Sequence, residues 1–439
     1  MVHGLPFLTD PDPLTTGEGA LDPLGLSVIA DQLADHLLPG LRARMQRPRF
    51  LTAVAVGAAV CEGLEDRRTP DGVTPAYLVF EWLVVEGFVR SGAREETGGT
   101  PGSFKAQDVV AARDAMCART YLRVPSIFGY HGVYKPLARH LGLVGADLRL
   151  GDAGYELLKV WEREQGLPGF LESAVSDGEG RRCRTALRSA VEDGLAAGQT
   201  SRKPGWFGWQ MLADHLVPAR TGDREGQLIE ALLHDAGAFP RGEVFDLLSG
   251  ADVDDLTEDV IARRLLEPRA SRELSLRLAA IESYEAVCAV LEESFDWIRF
   301  LSTRAQAKPV TATDFANQPR TESLAASLAG ALQRAGDSLA PMPLHEQQQF
   351  AELAKAFAGA NRPETLFEAV LQHHHDVQQA KQPEGKRDWF ERAPDGATVV
   401  RIPYRWPDEP EPERPWARPY RISTACAFLS DLQGAGAHA

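Results

Sequence analysis

The 439-residue chain is poor in cysteine, and none of its five, Cys61, Cys117, Cys183, Cys288 and Cys426, falls in a CxxC pair or a Cys/His ladder. Disulfide frameworks and zinc fingers need paired spacing, so the five are expected to be reduced thiols packed in a core. Long hydrophobic runs are missing too: the longest, Leu51–Cys61, reaches about half the length of a bilayer-spanning helix. The opening MVHGLPFLTDPDPLTTGEG has neither a basic start nor an apolar stretch of signal-peptide length. The expectation is a cytoplasmic protein with no membrane partner. Catalytic signatures are also lacking. There is no GxSxG, no Walker-type loop, no GxGxxG after a strand, no HExxH and no kinase set, so the chain reads as not an enzyme and as having no cofactor.

What is present is globular. Hydrophobic residues make up 44% and charged residues 25%, and 439 residues are enough for two or three cores. The formal charge of −15 repels polyanions over most of the surface, so any nucleic-acid contact must be local. The pattern is mainly α and multi-domain. Residues 1–20 read as an extended arm. Residues 21–100 read as a helical bundle: LDPLGLSVIADQLADHLLPG has apolar residues three and four apart, LTAVAVGAAVCEGL is apolar all round, and TPAYLVFEWLVVEGFVR follows. Residues 169–340 form an acidic helical domain, with 14 acids and 7 bases between Arg241 and Arg299, expected to bind a partner protein. Residues 341–439 hold further helices, a small β-hairpin around the Pro-Asp-Gly of residues 394–396, and a Pro-rich strap.

The segment 101–168 has the order of a winged-helix domain: a helix over Ala106–Arg119, a second in GVYKPLARHLGLV, a strand-like ADLRL with a Gly-Asp turn, and a closing helix. Residues 103–149 contain seven Lys/Arg and three Asp, a net +4 inside an acidic chain. On this reading Lys135, Arg139 and His140 face double-stranded DNA, and Arg149 beside the wing reaches a phosphate. Pro136 is compatible with such a helix only in its first turn. The other reading of the same unit is dimerisation or protein docking. A second cluster, Arg42, Arg44, Arg47 and Arg49 in LRARMQRPRF, holds four guanidinium groups without an interleaved acid; it reads as a phosphate clamp, or else as a solvated loop or a partner of the acidic region.

Two weaker constellations remain. Arg181, Arg182, Arg184 and Arg188 with SRKPGWFGWQ mix bases and aromatics as a base-stacking surface does, or else as a turn that packs its aromatics inward. His373, His374 and His375 are consecutive, so on a helix they diverge by about 100° each and cannot share one ion. One of them packed under the hairpin with its ring hydrogen-bonded is the plain reading; a metal-dependent nuclease or hydrolase is the alternative, with Pro383-Glu384-Gly385-Lys386 as the nearest fragment of a nuclease motif.

The segments Leu21-Asp22-Pro23-Leu24-Gly25 through Asp31, Leu38-Pro39-Gly40 and Arg47-Pro48-Arg49-Phe50, together with His375, Gln378, Lys381 and Tyr404-Arg405-Trp406, resemble the two ends of an uncharacterised bacterial family often encoded among phage-defence genes. The resemblance covers about a quarter of the chain. It implies a setting, a multi-protein system directed against phage, and carries no residue roles. The resulting expectation is a non-catalytic, DNA-associated subunit with other protein subunits as partners; an assembly scaffold without DNA contact is the rival.

Overall fold

Leu26, Ile29, Leu33 and Leu37 are all buried, so the three-and-four spacing of the first apolar stretch becomes helix α1 (Ser27–Leu37). Its end is set by Gly40, whose φ of 82° lies in the left-handed region. A Cβ at that position would also come within 2.7 Å of the His140 ring. The computed structural model describes residues 22–436 apart from 93–97, 172–177, 236, 238, 254, 305–308, 383–384, 395 and 413–414. The arm expected over 1–20, Leu21, and Pro383-Glu384 lie outside the described residues.

The protein is mainly helical. After α1 come α2 (Phe50–Val60), α3 (Ala76–Arg90), α4 (Ser103–Ala111), α5 (Pro125–Phe128), α6 (Tyr130–His140), α7 (Asp152–Glu164), α8 (Glu179–Ala197), α9 (Phe207–Leu216), α10 (Asp223–Leu233) and α11 (Arg241–Leu248). Then follow α12 (Glu258–Ile261), the 33-residue α13 (Arg272–Arg304), α14 (Ala312–Ala316), α15 (Thr321–Leu339), α16 (Leu344–Ala356), α17 (Pro363–Ala380), strands β1 (Phe390–Arg392) and β2 (Thr398–Val400), and α18 (Ile422–Gly436). The helices form two units that the chain visits more than once. One holds the described residues up to His36, Thr257–Arg263 and Ala270–Tyr420; the other holds Leu37–Leu256, Arg264–Arg269 and the residues from Arg421 onward.

In the unit containing Leu37–Leu256, α2 and α3 are buried along almost their whole length, which is what helices apolar all round require. Gly57 lets them approach, since a Cβ there would sit 2.9 Å from the Phe80 ring. Helix α3 packs on α4, α8 and α9, while α2 packs on α6 and α7, and α10 on α7 and α18.

In the other unit, α15 and α17 pack along α13. The hairpin is present, with Phe390 opposite Val400 and Arg392 opposite Thr398. Three acids of α13, Glu282, Glu285 and Glu292, face the chain's own Pro-rich strap. Glu282 accepts from Trp416 Nε1 at 3.0 Å, Glu285 accepts from the Ala417 amide at 2.9 Å and the Tyr420 hydroxyl at 2.7 Å, and Arg418 bonds Glu292. These carboxylates, counted above toward a partner-binding surface, are instead neutralised within the chain.

Candidate nucleic-acid interface

The segment expected as a winged helix contains α4, α5, α6 and α7, and where a two-stranded wing was expected it has a single bridged pair, Val144 opposite Leu150. Its first helix ends at Ala111 rather than Arg119. The reason is tertiary: Met116 and Cys117 pair in extended form with Gln199 and Thr200, with the Thr200 amide donating to the Met116 carbonyl at 2.8 Å. The chain turns ahead of that pairing at Arg113, whose φ is 57°.

Helix α6 is held in place by buried polar contacts. The Glu81 carboxylate, wholly buried in α3, accepts the His131 backbone N–H at 2.8 Å and so caps the helix start. Gly129 is required there, because a Cβ would lie 1.9 Å from Glu81 Oε1. Burial pushes the Glu81 carboxyl up to about 8, against the pull of that amide. On another face, the Tyr134 hydroxyl accepts from the backbone N–H of Gln46 at 2.9 Å and of Arg47 at 3.0 Å, which ties the arginine-rich loop to the helix. Pro136 is the seventh residue of this eleven-residue helix, beyond the first turn to which the winged-helix reading confined it.

Lys135 and Arg139, four residues apart, share a stripe of α6 as expected. The Lys135 ammonium is half-buried, 5.8 Å from the centroid of Tyr77, which in turn stacks on His131 at 4.2 Å. Burial and then the nearby Arg139 depress the lysine's pKa. Arg139 is exposed and has no acidic partner among the described residues. His140 is exposed and has a partner of its own. One position further round the helix, its ring lies against Gly40 instead of continuing the Lys135–Arg139 stripe. Arg149 does not reach out freely either, since its guanidinium sits 3.2 Å from Glu65 and 3.6 Å from Asp147.

The four-arginine cluster divides. Arg49 is 1% exposed and wholly committed: Nε donates to Glu225 at 3.2 Å, Nη1 to the Val217 carbonyl at 2.6 Å and Nη2 to the His215 carbonyl at 3.1 Å. It cannot clamp phosphate. Arg47 pairs with Asp431 on the wall of a cleft of about 840 Å³ that Glu164 and Asp223 also line. Arg42 is half-buried with a partner of its own. Arg44 alone of the four is exposed, and it lies over the Phe128 ring at 4.4 Å.

The sequence reading passed over Arg113, Arg119 and Arg123, which are exposed and hold no carboxylate among the described residues, and also Ile127 and Phe128, exposed on α5. The net charge of the segment contained the signal, but an assumed helix through Arg119 hid which of its cations were open to solvent. In the other constellations Arg182, Lys203 and Phe207 are exposed, and others are held within the fold. Arg184 and Arg188 donate to the carbonyls that end α2, Arg202 pairs with Asp193, and Trp209 is buried edge-on to Trp206. His374 is buried, with Nδ1 at 2.9 Å from the Pro23 carbonyl and Nε2 accepting from the Trp389 amide at 2.9 Å, as the plain reading of the triplet had it. His373 bonds the Leu24 carbonyl and His375 the Asp388 carboxylate, so the three diverge.

Helix α13 apart, no helix among the described residues exceeds 19 residues, and none is long and apolar enough to cross a membrane. No family model, no curated protein and no solved structure matches this chain.

Proposed function

We propose that the protein is a non-catalytic, nucleic-acid-associated subunit that holds backbone phosphate with the open cations of residues 113–139 and with Arg44. One contrast carries this reading. Within the same unit Arg47, Arg49, Arg149, Arg184, Arg188 and Arg202 each hold a carboxylate, whereas Arg113, Arg119, Arg123 and Arg139 hold none among the described residues. Residues 113–139 contain five Lys/Arg and a single acid, Asp114, whose carboxylate accepts its neighbour's amide. Concentrated unneutralised charge in a chain of −15 is destabilising through self-repulsion, and a polyanionic ligand relieves it.

The winged-helix element of the proposal is a phosphate-contacting scaffold in which α6 supplies Arg139 while its other faces are held by the fold. The setting is the one the end segments imply, a bacterial multi-protein system acting against phage. The test is a filter-binding salt series with duplex DNA from about 50 to 200 mM, the range over which phosphate contacts declare themselves. Charge reversal at Arg123 and Arg139 is expected to weaken binding for every sequence alike and to lower the salt slope by about 1 per lost contact. Absence of binding by the unmodified chain at low salt, to duplex and to single-stranded DNA alike, overturns the proposal. The scaffold alternative is favoured by Phe104, 82% exposed on α4; it predicts a co-purifying protein that nuclease treatment does not release.

A further inference from the structure

We infer that the nucleic acid this surface takes is single-stranded, with an unpaired base stacked at Phe128 and Arg44. The inference rests on the phosphate-holding reading above and adds what the ligand must offer besides charge. Helix α5 is one turn long and presents Ile127 at 58% and Phe128 at 39% exposure, side by side. The Arg44 guanidinium lies 4.4 Å from the Phe128 centroid, and Arg44 is itself exposed with no carboxylate beside it among the described residues. An aromatic ring and a flat cation are thus held together at the surface, and Arg123, also without a carboxylate among the described residues, immediately precedes the N-cap of the same turn.

A closed duplex has little use for such a pair. It buries its base faces and shows only their edges, at the floor of a groove that a projecting element must enter. Helix α6 is poorly suited to that role, with Tyr130, Tyr134 and Leu137 buried and Pro136 in its middle. An unpaired strand shows its base faces, and these stack on aromatic rings and guanidinium planes whatever their sequence, while neighbouring cations track the phosphates. Charge complementarity selects this ligand over an apolar protein surface, because the apolar pair is bordered by arginines that lack acids.

The experiment uses the full chain, with fluorescence anisotropy on a labelled oligothymidylate of about 16 nucleotides, near the upper site size of single-strand grooves, and on a duplex of equal length. Phe128→Leu keeps apolar bulk at a half-exposed position and removes the ring; its unfolding midpoint is checked against the parent. The single strand is expected to bind at least about tenfold tighter than the duplex. Phe128→Leu is expected to weaken the single strand by about tenfold, the loss of one stack, and to leave the duplex unchanged. A 2-aminopurine base in the strand should be quenched on binding the parent and not the variant. Equal affinity for both ligands, or indifference to Phe128→Leu, overturns the single-strand inference while the phosphate reading stands. No binding to either ligand removes the phosphate reading itself.

Discussion

Arg49 and Glu225 form an ion pair in which neither side chain reaches solvent, and both are bonded further: Thr52 gives its hydroxyl to Glu225 at 2.6 Å, and two carbonyls take the guanidinium. Removing one partner strands the other charge in an apolar site. Arg49→Met is therefore expected to lower the unfolding free energy by about 3–5 kcal/mol. Arg44→Met, five residues away in sequence and exposed, should change it by less than about 0.5 kcal/mol. Urea unfolding of the two variants distinguishes them, and equal losses would contradict the division of the arginine cluster.

Glu81 makes stability depend on pH in an unusual direction. Its folded pKa, pushed up to about 8 by burial, lies above the ordinary carboxylate value of 4.5. Below about pH 4.5 both folded and unfolded states hold the proton, and nothing changes. Between there and about pH 8 the unfolded state has released it while the folded state keeps it, so stability falls as pH rises, by at most about 1.4 kcal/mol per unit. Glu86 is raised by burial as well and acts in the same sense. Glu81→Gln should flatten this decline over pH 5–8 in denaturant titrations. A parent and variant with parallel profiles would exclude Glu81 as the source.

Arg418 holds the strap against α13 as the cation facing two raised carboxyls, Glu285 and Glu292, each pushed above the carboxylate range by burial and drawn back partly by that guanidinium. Arg418→Met leaves both acids without it, and a loss of about 3–5 kcal/mol is expected. Adding Glu292→Gln should restore part of the loss, and a double-mutant cycle by thermal unfolding measures the coupling. Strict additivity would show that the strap is held by something else.

The cysteines separate by reactivity. Burial pushes Cys61 up to about 12 and Cys183 up to about 11, and raises Cys288 well above the ordinary thiol value. At Cys117 burial is slight, and the Thr120 hydroxyl and nearby amides outweigh it and lower the thiol. Brief alkylation of the native protein at pH 8, read by peptide mass spectrometry, should label Cys117 well before those three. Labelling of Cys61 first would reverse the ordering.

Much of the architecture was legible from periodicity. The apolar faces of α1, α2 and α3, the hairpin and its strap, and the inward turn of one histidine in the triplet follow from the spacing of residues on their own element. The site was legible only in part. Net charge located the basic segment, and the four-residue spacing of Lys135 and Arg139 placed them on one stripe, but nothing local told that Arg149 sits beside Glu65 or that the His140 ring lies against Gly40.

What the sequence by itself determined is therefore which face of each helix is apolar, where glycine ends an element, and that positive charge concentrates between residues 103 and 149. What only the tertiary structure decided is which charges are spent. Arg44 and Arg49 look alike in LRARMQRPRF, yet one lies open on Phe128 and the other is sealed against Glu225, 176 positions along the chain. Glu282, Glu285 and Glu292 of α13 look open in sequence, yet the strap returns more than a hundred residues later to bind them. The physical reason is range. Side-chain periodicity follows from backbone geometry within a turn or two, whereas an ion pair forms wherever chain topology brings opposite charges together out of water, and that path is a property of the whole fold.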